Sequence, residues 1–69
     1  MLRLQRELQK AGWSYAEAAR RSGVNQVTVG LIVSRRFRPY DSQLVKLARA
    51  VGWPTERAAE LLEEVDDDA

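Results

Sequence analysis

The side chains most able to do chemistry in this sequence are basic, and they are unevenly distributed. Residues 1–54 hold ten Lys and Arg against three acids, whereas residues 55–69 hold one Arg against seven acids. The net charge of +1 therefore hides a basic region next to an acidic one. Such a basic region is typical of chains that bind a polyanion, and a solvated basic surface with other partners is the alternative at this point.

Other kinds of site lack the residues they need. The chain has no Cys and no His, which excludes disulfides, thiolate catalysis, zinc fingers and imidazole acid–base chemistry. The acids cluster near the end of the chain instead of pairing across a cleft, and no glycine-rich phosphate loop is present. We therefore expect no enzyme activity, no cofactor, no metal and no small-molecule substrate.

Apolar spacing predicts five helices and no strands. The first covers about residues 2–11, with Leu4, Leu8 and Ala11 on one face. The second covers 15–22 after a Ser14 cap, with Glu17 at the spacing of a capping box. Glycines at positions 12, 23 and 52 follow predicted helices.

The third helix is predicted over about 26–34, capped by Asn25 and anchored by Val29 and Ile32. Its remaining surface is Gln26, Val27, Thr28, Gly30 and Leu31, with Val33 as a further exposed candidate. A basic loop, Arg35-Arg36-Phe37-Arg38-Pro39-Tyr40, follows, and Pro39 prevents the helix from continuing through it. Phe37 is expected to pack beneath this loop.

A fourth helix, capped by Asp41 or Ser42, is predicted to end near Val51. A fifth extends to about Val65, and its apolar side is expected to complete the core, with any excess forming a dimer contact; these residues are Ala58, Leu61, Leu62 and Val65. The predicted fold class is all-α with five short helices. One domain is predicted over residues 1–65, followed by an acidic disordered tail at 66–69.

Residues 14–32 meet the mechanical needs of a helix-turn-helix. Ala18 and Ala19 are small enough for two helices to cross closely, and Gly23 permits a tight turn. Val24 is placed to fill the space beneath that turn. In this motif the second helix projects into the major groove of DNA.

The run W-S-Y-A-E-A-A-R-R-S-G-V-N-Q-V-T-V-G-L-I resembles the helix-turn-helix of the lambda-repressor-like (Cro/repressor, XRE) family. The later run R-P-Y-D-S-Q-L-V-K-L-A-R-A-V-G-W resembles the loop and fourth helix of that family, so the similarity covers about residues 4–64. The resemblance implies base contacts by Gln26, Val27, Thr28, Gly30 and Leu31. It implies phosphate contacts by Ser14, Tyr15, Ser34, Arg35, Arg36 and Arg38.

The sequence departs from the family pattern at several positions. Ala18 and Ser22 are small where larger inward residues are usual, and we expect Trp13 and Trp53 to restore the lost core volume. No Arg or Lys occurs in the third helix before Arg35, which predicts weak recognition of guanine. Arg35 itself stands where a glycine often follows the helix.

The resemblance predicts sequence-selective binding of duplex DNA, by a small transcriptional regulator such as a repressor, or by the DNA-binding module of a phage or mobile-element system. A homodimer through the C-terminal helix, or a larger assembly, is the expected arrangement. The alternative is a protein–protein interaction module that uses Val27, Leu31 and the acidic C-terminal helix. With no apolar run near the roughly 20 residues of a membrane span, a cytoplasmic, bacterial or phage-encoded, nucleoid-associated protein is expected.

Overall fold

A computed structural model describes residues 1–66, which form four α-helices and one 3₁₀ helix. The α-helices are α1 (Arg3–Ala11), α2 (Tyr15–Ser22), α3 (Gln26–Val33) and α4 (Asp41–Val51), and the 3₁₀ helix is Thr55–Leu62. Within residues 1–66 the only β pairing is an isolated bridge between Leu2 and Glu64. The predicted all-α class with five short helices is confirmed. Positions 67–69 of the predicted acidic tail lie outside the described residues.

Polar side chains start α2 and α3 as the sequence predicts. Ser14 Oγ accepts a hydrogen bond from the Glu17 amide at 3.1 Å, and Asn25 Oδ1 accepts one from the Val27 amide at 2.8 Å. Glu17 does not return a bond to Ser14, because its carboxylate binds two arginines of its own helix. The predicted capping box is therefore only half formed.

The start of α4 differs from the prediction. Its N-cap is Tyr40, not Asp41 or Ser42, and Gln43 Oε1 accepts a hydrogen bond from the Tyr40 amide at 3.0 Å. The Gln43 side chain thus binds the amide of the N-cap residue, which is the return bond of a capping box, and neither Asp41 nor Ser42 is the cap.

The core is apolar and draws on every helix. The buried cluster consists of Leu4, Leu8, Ala18, Val24, Val29, Ile32, Val33, Leu44, Leu47, Ala48, Ala58 and Leu61. Val33 was an exposed candidate and is buried, because it lies one helical turn after the buried Val29 on the same side of α3. Ala11 was predicted to face inward and is exposed, whereas Leu2, just before α1, is buried.

The C-terminal segment departs most from the sequence prediction. The fifth helix is a 3₁₀ helix that ends at Leu62, and Glu63 has extended backbone angles (φ −76°, ψ 148°). The Glu63 carbonyl accepts a hydrogen bond from the Arg3 amide at 2.8 Å, and the Val65 amide donates to the Met1 carbonyl at 2.8 Å. The segment leaves the helix because its backbone pairs with the residues that precede and begin α1, where helical amides lack internal partners. Val65 is therefore outside the helix that was predicted to contain it.

Both tryptophans are half-buried and pack against the core, as predicted. The Arg21 guanidinium lies 4.8 Å from the centre of the Trp13 ring. The guanidinium groups of Arg3 and Arg57 lie 5.2 and 5.9 Å, respectively, from the centre of the Trp53 ring. Each indole therefore combines apolar packing with cation–π contacts, and Trp53 joins α1 to the 3₁₀ helix.

Candidate nucleic-acid interface

The pair α2–α3 has the packing that a helix-turn-helix requires. Ala18 is buried where α2 meets its neighbours, and Val24 is buried beneath the turn between the helices. Gly23 has φ +80°, a left-handed conformation that side chains other than glycine rarely adopt. Ser22 Oγ accepts a hydrogen bond from the Val24 amide at 3.1 Å. This tight turn holds α3 against α2 with one side of α3 facing outward.

The outward side of α3 carries the residues predicted to contact bases, here called the recognition face: Gln26, Val27, Thr28, Gly30 and Leu31. Gln26 is exposed, and Val27 and Leu31 expose 69% and 37% of their surfaces. Thr28 and Gly30 are half-buried. An exposed valine and leucine one helical turn apart give this face an apolar character.

Tyr15 lies across the recognition face instead of pointing away from it. A Cβ built on Gly30 would lie 3.5 Å from Tyr15 Cδ2 and 3.7 Å from Cε2, so the ring covers one side of the glycine. Tyr15 was predicted to contact phosphate, and its ring is partly exposed beside Gly30. Sequence reasoning missed this contact because it joins two helices at residues that show no common pattern.

Replacing Gly30 with alanine should stabilise the domain. The new methyl group would meet the Tyr15 ring at an ordinary van der Waals distance, while glycine inside a helix costs about 0.5–1 kcal/mol relative to alanine. We expect the thermal midpoint of Gly30→Ala to rise by a few degrees. A lower midpoint, measured by circular dichroism, would show that Tyr15 cannot accommodate the methyl group.

The end of α3 forms a Schellman motif with an arginine in the position usually taken by glycine. The Arg36 amide donates to the Leu31 carbonyl at 2.8 Å, and the Arg35 amide donates to the Ile32 carbonyl at 3.0 Å. These are the two bonds that define the motif, and Arg35 accordingly has φ +65°. Although the family's usual glycine is absent, the chain keeps the left-handed turn, and the basic loop starts there.

The loop presents two arginines to solvent. Arg36 and Arg38, here called the loop cations, are exposed and have no ion-pair partner in the described part of the chain, residues 1–66. Between them Phe37 packs against the core, as predicted. The Tyr40 and Phe37 rings pack edge-to-face, with 6.0 Å between the ring centres. Two charges are thus displayed on a loop that is anchored by an aromatic side chain.

Other predicted phosphate contacts are already engaged within the protein. Ser34 Oγ donates to the Leu31 carbonyl at 3.2 Å, and Ser14 Oγ is used in the cap of α2. Arg35 forms a bidentate ion pair with Glu64, with Nε–Oε2 2.8 Å and Nη2–Oε1 2.7 Å. Of the six predicted residues, only the loop cations carry a charge without a partner among residues 1–66.

The arginines of α2 are also paired. Arg21 Nε lies 2.6 Å from Glu17 Oε2, and Arg20 binds the same carboxylate. Hydrogen bonds from Arg21 and Arg20 lower the pKa of Glu17, so the carboxylate stays ionised beside them at neutral pH. The basic residues of α2 are therefore partly neutralised before any partner binds.

The described residues hold neither a cluster of metal ligands nor a membrane-spanning helix. Within residues 1–66, no three or more acidic, His or Cys side chains are grouped so that they could hold a metal ion. None of the helices in the same residues is long and apolar enough to cross a lipid bilayer.

Comparison with known proteins supports the family resemblance. A family model described as a helix-turn-helix matches residues 2–57, which include α1 to α4 and the start of the 3₁₀ helix. Searches of curated proteins and of solved structures gave no match. The matched region, the tight turn at Gly23 and the outward face of α3 together show that the chain belongs to the lambda-repressor-like (Cro/repressor, XRE) family of DNA-binding helix-turn-helix domains.

Proposed function

We propose that this chain binds duplex DNA sequence-selectively, with α3 in the major groove. The observation that carries the proposal is that the basic loop follows directly on α3. The recognition face ends at Leu31, and the loop cation Arg36 comes immediately after Arg35, the left-handed residue that ends the helix. Helix and loop can therefore meet base edges and backbone phosphates of the same DNA segment. We propose that the chain acts as a small transcriptional regulator or as a DNA-binding module of a phage or mobile-element system.

The recognition face favours A·T base pairs. The Gln26 side chain has the donor and acceptor that pair with adenine N7 and N6, and Val27 and Leu31 suit the 5-methyl group of thymine. Thr28 can donate or accept a hydrogen bond. Guanine is best recognised by Arg or Lys, and α3 contains neither. The preferred site should therefore be rich in thymine and adenine where α3 enters the groove.

Two copies bound to one site would supply the affinity that a single recognition helix lacks. Helix-turn-helix dimers bind half-sites about 34 Å apart, and we propose this arrangement here. Ala58 and Leu61 are buried and complete the core of the protomer, as expected, so they are not available for a dimer contact. Leu62 and Val65 are partly exposed, so a dimer contact through this segment would have to use these two side chains.

Selection of bound duplexes from a random pool, combined with a salt titration, tests the proposal. We expect enrichment of an A·T-rich motif and an affinity that falls steeply with salt, because phosphate contacts release counterions. Enrichment of a palindrome would support two copies on the site. Negligible binding to any duplex even at low salt would contradict the proposal and favour the protein-interaction module.

Val27→Ala should lose affinity only where thymine carries its methyl group. Removing the exposed valine side chain from the groove should cost about 1 kcal/mol on the selected site, or roughly fivefold in affinity. On the same duplex with deoxyuridine in place of thymine, wild type should weaken and the difference between wild type and variant should disappear. An equal loss on both duplexes would show that Val27 does not contact the methyl group.

A further inference from the structure

The ion pair between Arg35 and Glu64 joins the start of the basic loop to the C-terminal segment. Two nitrogens of the guanidinium bind the two carboxylate oxygens at 2.7 and 2.8 Å. This two-pronged geometry is stronger and more directional than a single contact between point charges. The Arg35 guanidinium therefore lowers the pKa of Glu64, and the carboxyl group is ionised at neutral pH.

Backbone contacts fix both partners of this pair. The Schellman motif at the end of α3 fixes the backbone of Arg35, and the bridge between Leu2 and Glu64 fixes the backbone of Glu64. Surface ion pairs usually contribute little because two flexible side chains must be ordered. The Arg35 and Glu64 side chains are 51% and 60% exposed, so the pair adds little stability, and the fixed backbone serves only to keep the two residues within reach of each other.

The backbone at position 35 favours glycine over arginine. A left-handed conformation costs a residue with a side chain about 1–2 kcal/mol, and nothing else in the Schellman motif depends on the guanidinium. The contacts that the Arg35 side chain makes lie outside the motif, with Glu64.

We propose that Glu64 neutralises Arg35 and so limits the number of DNA phosphates that the basic loop can bind. This inference rests on the proposed function. The Arg35–Glu64 pair carries no net charge of its own, and its carboxylate repels the DNA backbone. Glu64 Oε1 also lies 3.5 Å from the Met1 ammonium, but the short bidentate contact is the one with Arg35. The loop cations, Arg36 and Arg38, then provide the phosphate contacts of the loop, and Glu64 keeps the sequence-independent part of the affinity low.

Salt titrations of binding to a random duplex test this assignment. Glu64→Gln keeps the shape of the side chain but releases Arg35, so the slope of log affinity against log salt should steepen by about 0.9, the value of one phosphate contact. Arg35→Gly keeps the left-handed turn but removes the guanidinium, and it should leave the wild-type slope unchanged. The double variant should behave like Arg35→Gly; a steeper slope in the double variant would mean that the released charge is the Met1 ammonium, which also lies 3.5 Å from Glu64 Oε1, and would overturn the inference.

Glu63→Gln is the matched control. It removes the same charge one residue away, from a carboxylate that lies 3.6 Å from Arg3 on α1, and it should not change the slope. Thermal melts by circular dichroism establish that each variant is folded before binding is compared.

The possible results are distinguishable. A wild-type slope for Glu64→Gln, or a slope for Arg35→Gly that is lower by about one, would overturn the inference, and the second result would make Arg35 itself a phosphate contact. Equal steepening by Glu63→Gln and Glu64→Gln would show a general charge effect and would also overturn it. Absence of binding by wild type overturns the proposed function and this inference together, whereas normal salt-dependent binding with unchanged variants overturns the inference alone.

Discussion

Leu61→Ala should destabilise the domain by about 2–5 kcal/mol, the usual cost of removing a fully buried leucine side chain. Leu61 is 0% exposed and belongs to the main core cluster, where the 3₁₀ helix packs on α4 and α1. A domain of this size has only about 3–10 kcal/mol of stability in total. The thermal midpoint should therefore fall by at least about 10 °C, measured by circular dichroism.

Leu31→Ala provides the control because it makes the same chemical change on the recognition face. Leu31 is partly exposed, so its replacement should alter stability much less while weakening binding to the selected DNA site. If Leu61→Ala left the midpoint unchanged, the C-terminal segment would not be part of the core. The acidic segment would then be available as a separate interaction surface.

Arg36→Ala combined with Arg38→Ala should abolish most sequence-independent DNA binding. Each charge-assisted contact to phosphate contributes about 1.5 kcal/mol, so the double variant should lose roughly a hundredfold in affinity at low salt. The slope of log affinity against log salt should decrease by about two. Fluorescence anisotropy on a random duplex measures both quantities.

Lys10→Ala is the charge control for that experiment. Lys10 lies in the last turn of α1, 3.6 Å from Glu7, outside the recognition face and the basic loop. Its removal should change neither the affinity nor the slope by a comparable amount. Equal losses in the two experiments would indicate diffuse attraction to the whole basic surface, and the loop would then have no special role.

Local sequence signals predicted the helix-turn-helix accurately. Ser14, Gly23 and Asn25 act on residues only a few positions away, so their caps and turns follow from residue type and spacing alone. Val29 and Ile32 were assigned to the core from helical periodicity, and both are buried. The features that depend on residues close together in the chain could therefore be predicted from the sequence.

The features that the sequence did not reveal depend on contacts between distant residues. The pairing of Leu2 with Glu64 ends the last helix early, and no pattern near Glu64 indicates it. Likewise, Tyr15 covers Gly30, and Glu64 holds Arg35, only because the folded helices bring them together. These contacts change the candidate site most, since they decide which predicted side chains are free for DNA.

The two tryptophans provide optical reporters of different parts of the molecule. Trp13 lies between α1 and α2 under the Arg21 guanidinium, whereas Trp53 lies between Arg3 and Arg57, and its Nε1 donates to the Arg57 carbonyl at 3.2 Å. Indole emission responds to nearby charge and to water. With one indole replaced at a time, fluorescence can therefore follow detachment of the C-terminal segment separately from unfolding around α2.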